Sequence, residues 1–191
     1  MNDDRPYFRL SDLEQELRDS RSYSAYFESI VCMKVQNLRD LCGRLPVEGE
    51  AFFIETYKSF TAFAFIVYLM KHAGHVNHLY VATYSTNARV INSIIRYHDK
   101  GWLGSIHFHI SETLKFRMPQ VFQHLQELAA DGVIRLTYGW SHKKIACVDT
   151  AQGQFVIEGS GNYGENALEE QYVFLKSKQV YEFRSNINQV G

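Results

Sequence analysis

Residues 141–149 read Ser-His-Lys-Lys-Ile-Ala-Cys-Val-Asp, and residues 159–162 read Gly-Ser-Gly-Asn. His142 and Lys144 are two apart in a β-prone run, so on a strand both side chains leave the same face. Gly153 marks a turn, after which a second strand returns the chain and delivers the Gly-Ser-Gly-Asn loop beside the first. An imidazole, an ammonium, a hydroxyl and an amide thereby converge on one small pocket. That set suits a phosphate ester. Lys144, Asn162, Ser160 and the backbone N–H groups around Gly159 and Gly161 can stabilise charge growing on non-bridging oxygens. His142 can attack phosphorus and split one difficult displacement into two easier ones. The inventory requires no metal and no cofactor.

The elements that must position this pair follow from periodicity. From Pro46 onward, β-prone runs alternate with helical patterns. Strands are expected at 51–56, 79–84, 106–110, 134–138, 143–148, 154–158 and 171–175, with helices at 59–72, 87–100 and from Pro119 to about 131. Such alternation argues for an α/β fold, a mixed sheet flanked by helices. The first 45 residues read as helical: Ser11 and Glu14 form a capping-box pattern. Phe27, Ile30, Val31, Leu38 and Leu41 give an apolar stripe over a helix from about 23 to 44.

The pattern His142-x-Lys144-x-x-x-x-Asp149 followed by Gly159-Ser160-x-Asn162 resembles the signature of the phospholipase D superfamily. The likeness covers about 47–175, though only the last third carries specific residues. It implies a helical N-terminal extension, 1–45, and a phospholipase D-like catalytic domain, 46–191. It also implies phosphodiester hydrolysis or transfer using two copies of the motif. One histidine attacks, and the other protonates the leaving oxygen. This chain has one complete copy. His98-Asp99-Lys100 imitates the start of another, but it falls in a helical pattern with no Gly-Ser-x-Asn behind it. A single copy implies a homodimer with both His142 side chains at the twofold axis. Small single-motif relatives are metal-independent endonucleases, so the resemblance implies a nuclease acting on DNA or RNA. It further implies an acidic residue that orients an imidazole. Glu170 is the choice, because the Tyr172-Val173-Phe174 run follows it; Glu165 and Glu169 are the alternatives. Relatives carry Ser or Thr where this chain has Gly164.

Other residues have a plain reading beside a functional one. Asp149 ends a strand, where a carboxylate commonly accepts turn hydrogens. Tyr57 and Lys58 follow one strand. Tyr84, Ser85, Thr86 and Asn87 follow another, where they either line a cleft or cap the next helix. Trp140 either packs or stacks on a base. The pairs His75/His78 and His107/His109 lack a third metal ligand nearby.

Composition sets the outer bounds. The 191 residues hold 20 Lys+Arg against 21 Asp+Glu, a net charge of -1, so coating nucleic acid by bulk charge is excluded while a local basic site is not. The apolar run Phe60–Met70 falls short of the ~20 residues a bilayer demands. Asp3, Asp4 and Arg5 do not resemble a signal peptide, and Cys32, Cys42 and Cys147 suit reduced thiols. The expectation is a cytoplasmic protein with no membrane association. Two competing functions are a non-catalytic module that grips phosphate backbones or protein partners, and a phospholipase or phosphatidyl transferase.

Overall fold

The structure is a computed structural model that describes residues 27–36, 40–41, 43–57, 61–164 and 169–185. The described elements run β1 (Ser29–Val35), β2 (Glu50–Thr56), α1 (Phe63–Ala73), β3 (Val76–Thr83), α2 (Ala88–Asp99), β4 (Leu103–Ser111), α3 (Leu114–Arg117), α4 (Pro119–Ala130), β5 (Arg135–Gly139), β6 (Lys144–Thr150), β7 (Gly153–Gly159), β8 (Gln171–Lys176) and α5 (Lys178–Ser185). The eight strands form one mixed sheet in the order β1-β2-β8-β7-β6-β3-β4-β5.

The two sides of the sheet are covered unequally, and the strand alternation shows why. Phe52, Ile54, Val81, Phe108, Ala146, Val148, Ile157 and Phe174 project to one side, where they meet the buried faces of α1, α2 and α4. Burying that much apolar surface is the main drive for folding, at about 25 cal/mol per Å². The intervening residues, among them Ala51, Tyr80, Ala82, Ile145, Cys147, Val156 and Leu175, form a smaller cluster that α5 covers through Tyr181.

Two findings differ from the sequence reading. Residues 29–35, expected inside a helix, form strand β1, paired in parallel with β2 in register Ser29↔Glu50 to Val35↔Thr56. Ile30, Cys32 and Lys34 are more exposed, while Val31, Met33 and Val35 turn inward. That is a period of two, and the β-branched Ile30, Val31 and Val35 favour it. The capping-box helix from Ser11 lies outside the described residues. The short helix α3 was not expected. The strands and helices anticipated between 51 and 175 are otherwise present, with ends shifted by a few residues.

The strand directions bring six chain segments to one edge of the sheet. β2, β3, β4, β5 and β7 point one way, and β6 and β8 run antiparallel to their neighbours. The C-terminal ends of the first group therefore meet the N-terminal ends of the second. Segments 56–57, 83–87, 111–118, 139–144, 159–164 and 169–171 share this edge. Ligands of α/β proteins bind at such an edge.

Candidate active site

Lys144 opens β6 opposite Thr83 of β3, and His142 lies two residues ahead in the extended link from β5. The Lys144 Nζ sits 2.9 Å from His142 Nδ1 and donates to the His142 carbonyl at 3.1 Å. Tyr84 forms the wall behind them: its ring centroid is 4.4 Å from that of His142, and Lys144 Nζ is 5.8 Å from it. On this wall sits Arg117, its guanidinium 4.9 Å from the Tyr84 centroid. Burial lowers the Lys144 pKa, and the nearby Glu170 carboxylate and Tyr84 oppose that shift. His142 itself is exposed.

The loop 160–164 is held from both sides. Toward β8, the Ser160 N–H donates to Gln171 O at 3.0 Å, and the Ser160 hydroxyl accepts from the Gln171 N–H at 3.0 Å. The same hydroxyl donates to the Glu170 carboxylate. Glu170 is fixed in turn by β2, since its N–H donates to Thr56 Oγ1 at 3.0 Å and its carbonyl accepts from the Thr56 N–H at 2.9 Å. Toward β3, the Thr86 hydroxyl donates to Tyr163 O at 2.7 Å, and the Tyr163 N–H donates to Thr83 Oγ1 at 3.4 Å. Gly159 answers a steric need. A Cβ there would sit 2.1 Å from Gln171 O, so only glycine lets β7 approach β8 this closely. Asn162 is half-buried and Gly161 is buried within the loop.

The expected site residues that the structure describes each have a definite place. His142, Lys144, Ser160, Asn162, Glu170, Gly159 and Gly161 share one edge. Of the three acidic candidates, Glu170 lies within the field of Lys144, Glu169 acts on Lys34 instead, and Glu165 is outside the described residues. Tyr57 reaches the same edge but stands beside β1, with Lys34 Nζ 5.9 Å from its ring. Lys58 is outside the described residues. The Ser85 hydroxyl turns toward Met118 Sδ at 3.6 Å. Asn87 caps α2, accepting from the Val90 N–H at 2.9 Å. Asp149 lies at the opposite edge, about 16 Å along β6 from Lys144. There its carboxylate accepts from Asn77 Nδ2 at 3.1 Å. The sequence reading missed Arg117, Thr56 and Thr83. Nothing local marks them, because Thr56 and Thr83 gain their places through strand pairing and Arg117 through the contact of α3 with Tyr84.

The histidine pairs have protein partners. His75 and His78 bond Gly101 O at 2.9 Å and Ser105 Oγ at 2.7 Å. His107 Nε2 and His109 Nδ1 share the Thr137 hydroxyl at 2.9 and 3.0 Å.

A groove of about 870 Å³ opens from the edge along the thinly covered side of the sheet. His142, Lys144, Phe53, Val173 and Arg184 are among its walls. Arg184 Nε is held 2.9 Å from Glu158 Oε2.

With this geometry in hand, known proteins supply a comparison. No protein-family model and no curated protein matches the chain. Solved structures match in shape. The polyphosphate kinase of Porphyromonas gingivalis superposes over 73% of this chain with a TM-score of 0.54 at 13% identity. The fold is phospholipase D-like. The chain spans only 25% of that kinase. Lesser likenesses are to TrmBL2, an archaeal chromatin protein with a novel mode of DNA binding, and to a phosphatidylserine synthase of Haemophilus influenzae. The first has a TM-score of 0.47 at 13% identity over 73% of this chain and 50% of that one. The second has a TM-score of 0.47 at 8% identity over 71% and 36%. None of the described helices is long and apolar enough to cross a membrane.

Proposed function

We propose that the chain is a metal-independent phosphodiesterase, a nuclease that cleaves DNA or RNA through a phosphohistidine in a homodimeric site. The observation that carries this reading is the convergence of His142, Lys144, Ser160 and Glu170 at one sheet edge, with the imidazole exposed and the ammonium half-buried beside it. Each half-site supplies one imidazole, so a second copy brings the other.

The contact between Lys144 and His142 bears on the order of events. An ammonium donating to Nδ1 leaves the imidazole proton on Nε2, and a nitrogen that carries a proton cannot attack. A phosphate draws the ammonium onto a non-bridging oxygen, because a charge-assisted bond to an anion is the stronger one. Nδ1 is then free to carry the proton, and the Nε2 lone pair can attack. As the N–P bond forms and the P–O bond breaks, the second copy's imidazole, protonated on both nitrogens as an imidazolium, gives its Nε2 proton to the departing oxygen and becomes neutral. It then takes a proton from water, the hydroxide attacks phosphorus, and the N–P electrons return to Nε2. The Ser160–Glu170 pair holds the loop donors against the oxygens throughout.

The test is incubation of labelled single- and double-stranded DNA and RNA with the purified protein in EDTA, with its mass in solution measured in parallel. Cleavage by a dimer, lost in His142→Asn, supports the reading. A correctly folded dimer that binds nucleic acid and cuts none overturns it in favour of a non-catalytic phosphate-binding module.

A further inference from the structure

The edge that carries His142 also carries large aromatic rings facing solvent that the cleavage chemistry does not use. Trp140 is 80% exposed, Phe116 74% and Tyr138 51%. Rings of this size usually bury most of their surface, and several together on one edge mark a binding surface. They belong to two adjoining links. Tyr138 is the penultimate residue of β5 and Trp140 follows the strand, while Phe116 lies in α3, after β4. The Glu112 N–H donates to Gly139 O at 3.0 Å and ties the two links together.

Cations interleave with these rings. Lys115 Nζ lies 5.4 Å from the Phe116 centroid, and Arg117 stacks on Tyr84, one ring away from His142. Lys143 is exposed beside the imidazole. Glu112 is the acid on the same link. Ring and cation in alternation match a polymer that alternates flat bases with phosphates. A duplex hides the faces of its bases within the stack, so only unpaired bases can lie on exposed rings.

We propose that this rim is a stacking platform for single-stranded nucleic acid. Bases lie on Trp140 and Phe116, while Arg117, Lys115 and Lys143 hold the phosphates that flank the one at His142. The proposal rests on the nuclease reading and narrows its substrate to unpaired strands.

Binding is measured in His142→Asn, which cannot form the phosphohistidine, so the rim is read whether or not the chain is an enzyme. Hydrolysis of bis(p-nitrophenyl) phosphate by the unaltered protein reads the nuclease proposal separately. The chain has two tryptophans, and Trp102 lies before β4 at the far edge, so Trp102→Phe leaves Trp140 as the only indole. Oligothymidylate of ten nucleotides should quench Trp140 emission. An abasic deoxyribose-phosphate chain of equal length and charge should not. Trp140→Ala and Phe116→Ala should each weaken oligothymidylate binding by about 5- to 100-fold and leave abasic binding nearly unchanged. Equal affinity for the two polymers, tighter binding of a ten-base-pair duplex, or no binding of either polymer overturns the proposal.

Discussion

Gly159→Ala tests whether the approach of β7 to β8 builds the site. The added Cβ would stand 2.1 Å from Gln171 O and 2.7 Å from Tyr172 Cδ1. A carbon and an oxygen not bonded to each other rest about 3.3 Å apart, so roughly 1.2 Å must be found. The oxygen is backbone and cannot rotate aside. It also accepts the Ser160 N–H at 3.0 Å, so the strands must part where the loop is anchored. Overpacking of this kind costs about 1–3 kcal/mol, which for a chain of this length lowers the melting temperature by about 2–12 °C. The effect on catalysis should exceed the effect on folding. Displacing catalytic groups by about 1 Å can cost about 100-fold in rate, and Ser160 and Glu170 both move with this opening.

Gly164→Ala in the same loop is the control. Its Cβ would meet Asn87 Nδ2 at 3.6 Å, an ordinary contact, so stability should stay within about 0.5 kcal/mol. The structure thus leaves room for a Cβ at this place. Melting curves and cleavage rates of both variants, each compared with the parent protein below its melting temperature, give the answer. A Gly159→Ala protein with parental stability and rate would refute the argument from close approach.

Removing Lys144 as Lys144→Ala should lower the rate of diester cleavage by about 100- to 1,000-fold, measured under saturating substrate, while the melting temperature barely moves. The rate should follow a bell in pH, because one imidazole must be neutral while the other is protonated; a profile still rising at pH 10 would contradict two histidines. Burial and the nearby Arg135 guanidinium hold the His107 pKa down at about 4. Between about pH 6.5 and 4 the unfolded chain binds a proton that the folded chain refuses, so stability falls as pH falls, by about 2 kcal/mol after allowing for partial solvation. Urea midpoints across that range should show a weaker acid dependence in His107→Gln than in the parent; equal slopes would remove His107 as the cause.

The legible parts of this molecule are those whose information is local. His142, Lys144 and the Gly-Ser-Gly-Asn loop lie on one hairpin, so strand periodicity and a turn were enough to bring them together. The sheet from β2 to β8 was readable for a similar reason, since each strand and helix carries its own apolar pattern. β1 was not. Phe27, Ile30, Val31, Leu38 and Leu41 fit a helical stripe, whereas Ile30, Cys32 and Lys34 against Val31, Met33 and Val35 fit a strand. Only pairing with β2 decides between them. Edge strands are the hardest to read, because one face and one side lack the packing that would impress a pattern on the sequence.

The groups that hold the site are non-local in the same sense. Thr56 reaches Glu170 across 114 positions of chain, Thr86 reaches Tyr163 across 77, and Arg117 reaches Tyr84 from a four-residue helix with no pattern of its own. These contacts set which acidic residue stands near the ammonium. Glu169 and Glu170 are adjacent in sequence, and in an extended chain neighbours point to opposite faces. The backbone pairing of Glu170 with Thr56 therefore selects one carboxylate for Ser160 and sends the other toward Lys34. A motif names the atoms that react, whereas strand register decides which carboxylate they meet. The choice of Glu170 over Glu169 depends on that register, since a slip of one residue between β2 and β8 would exchange them.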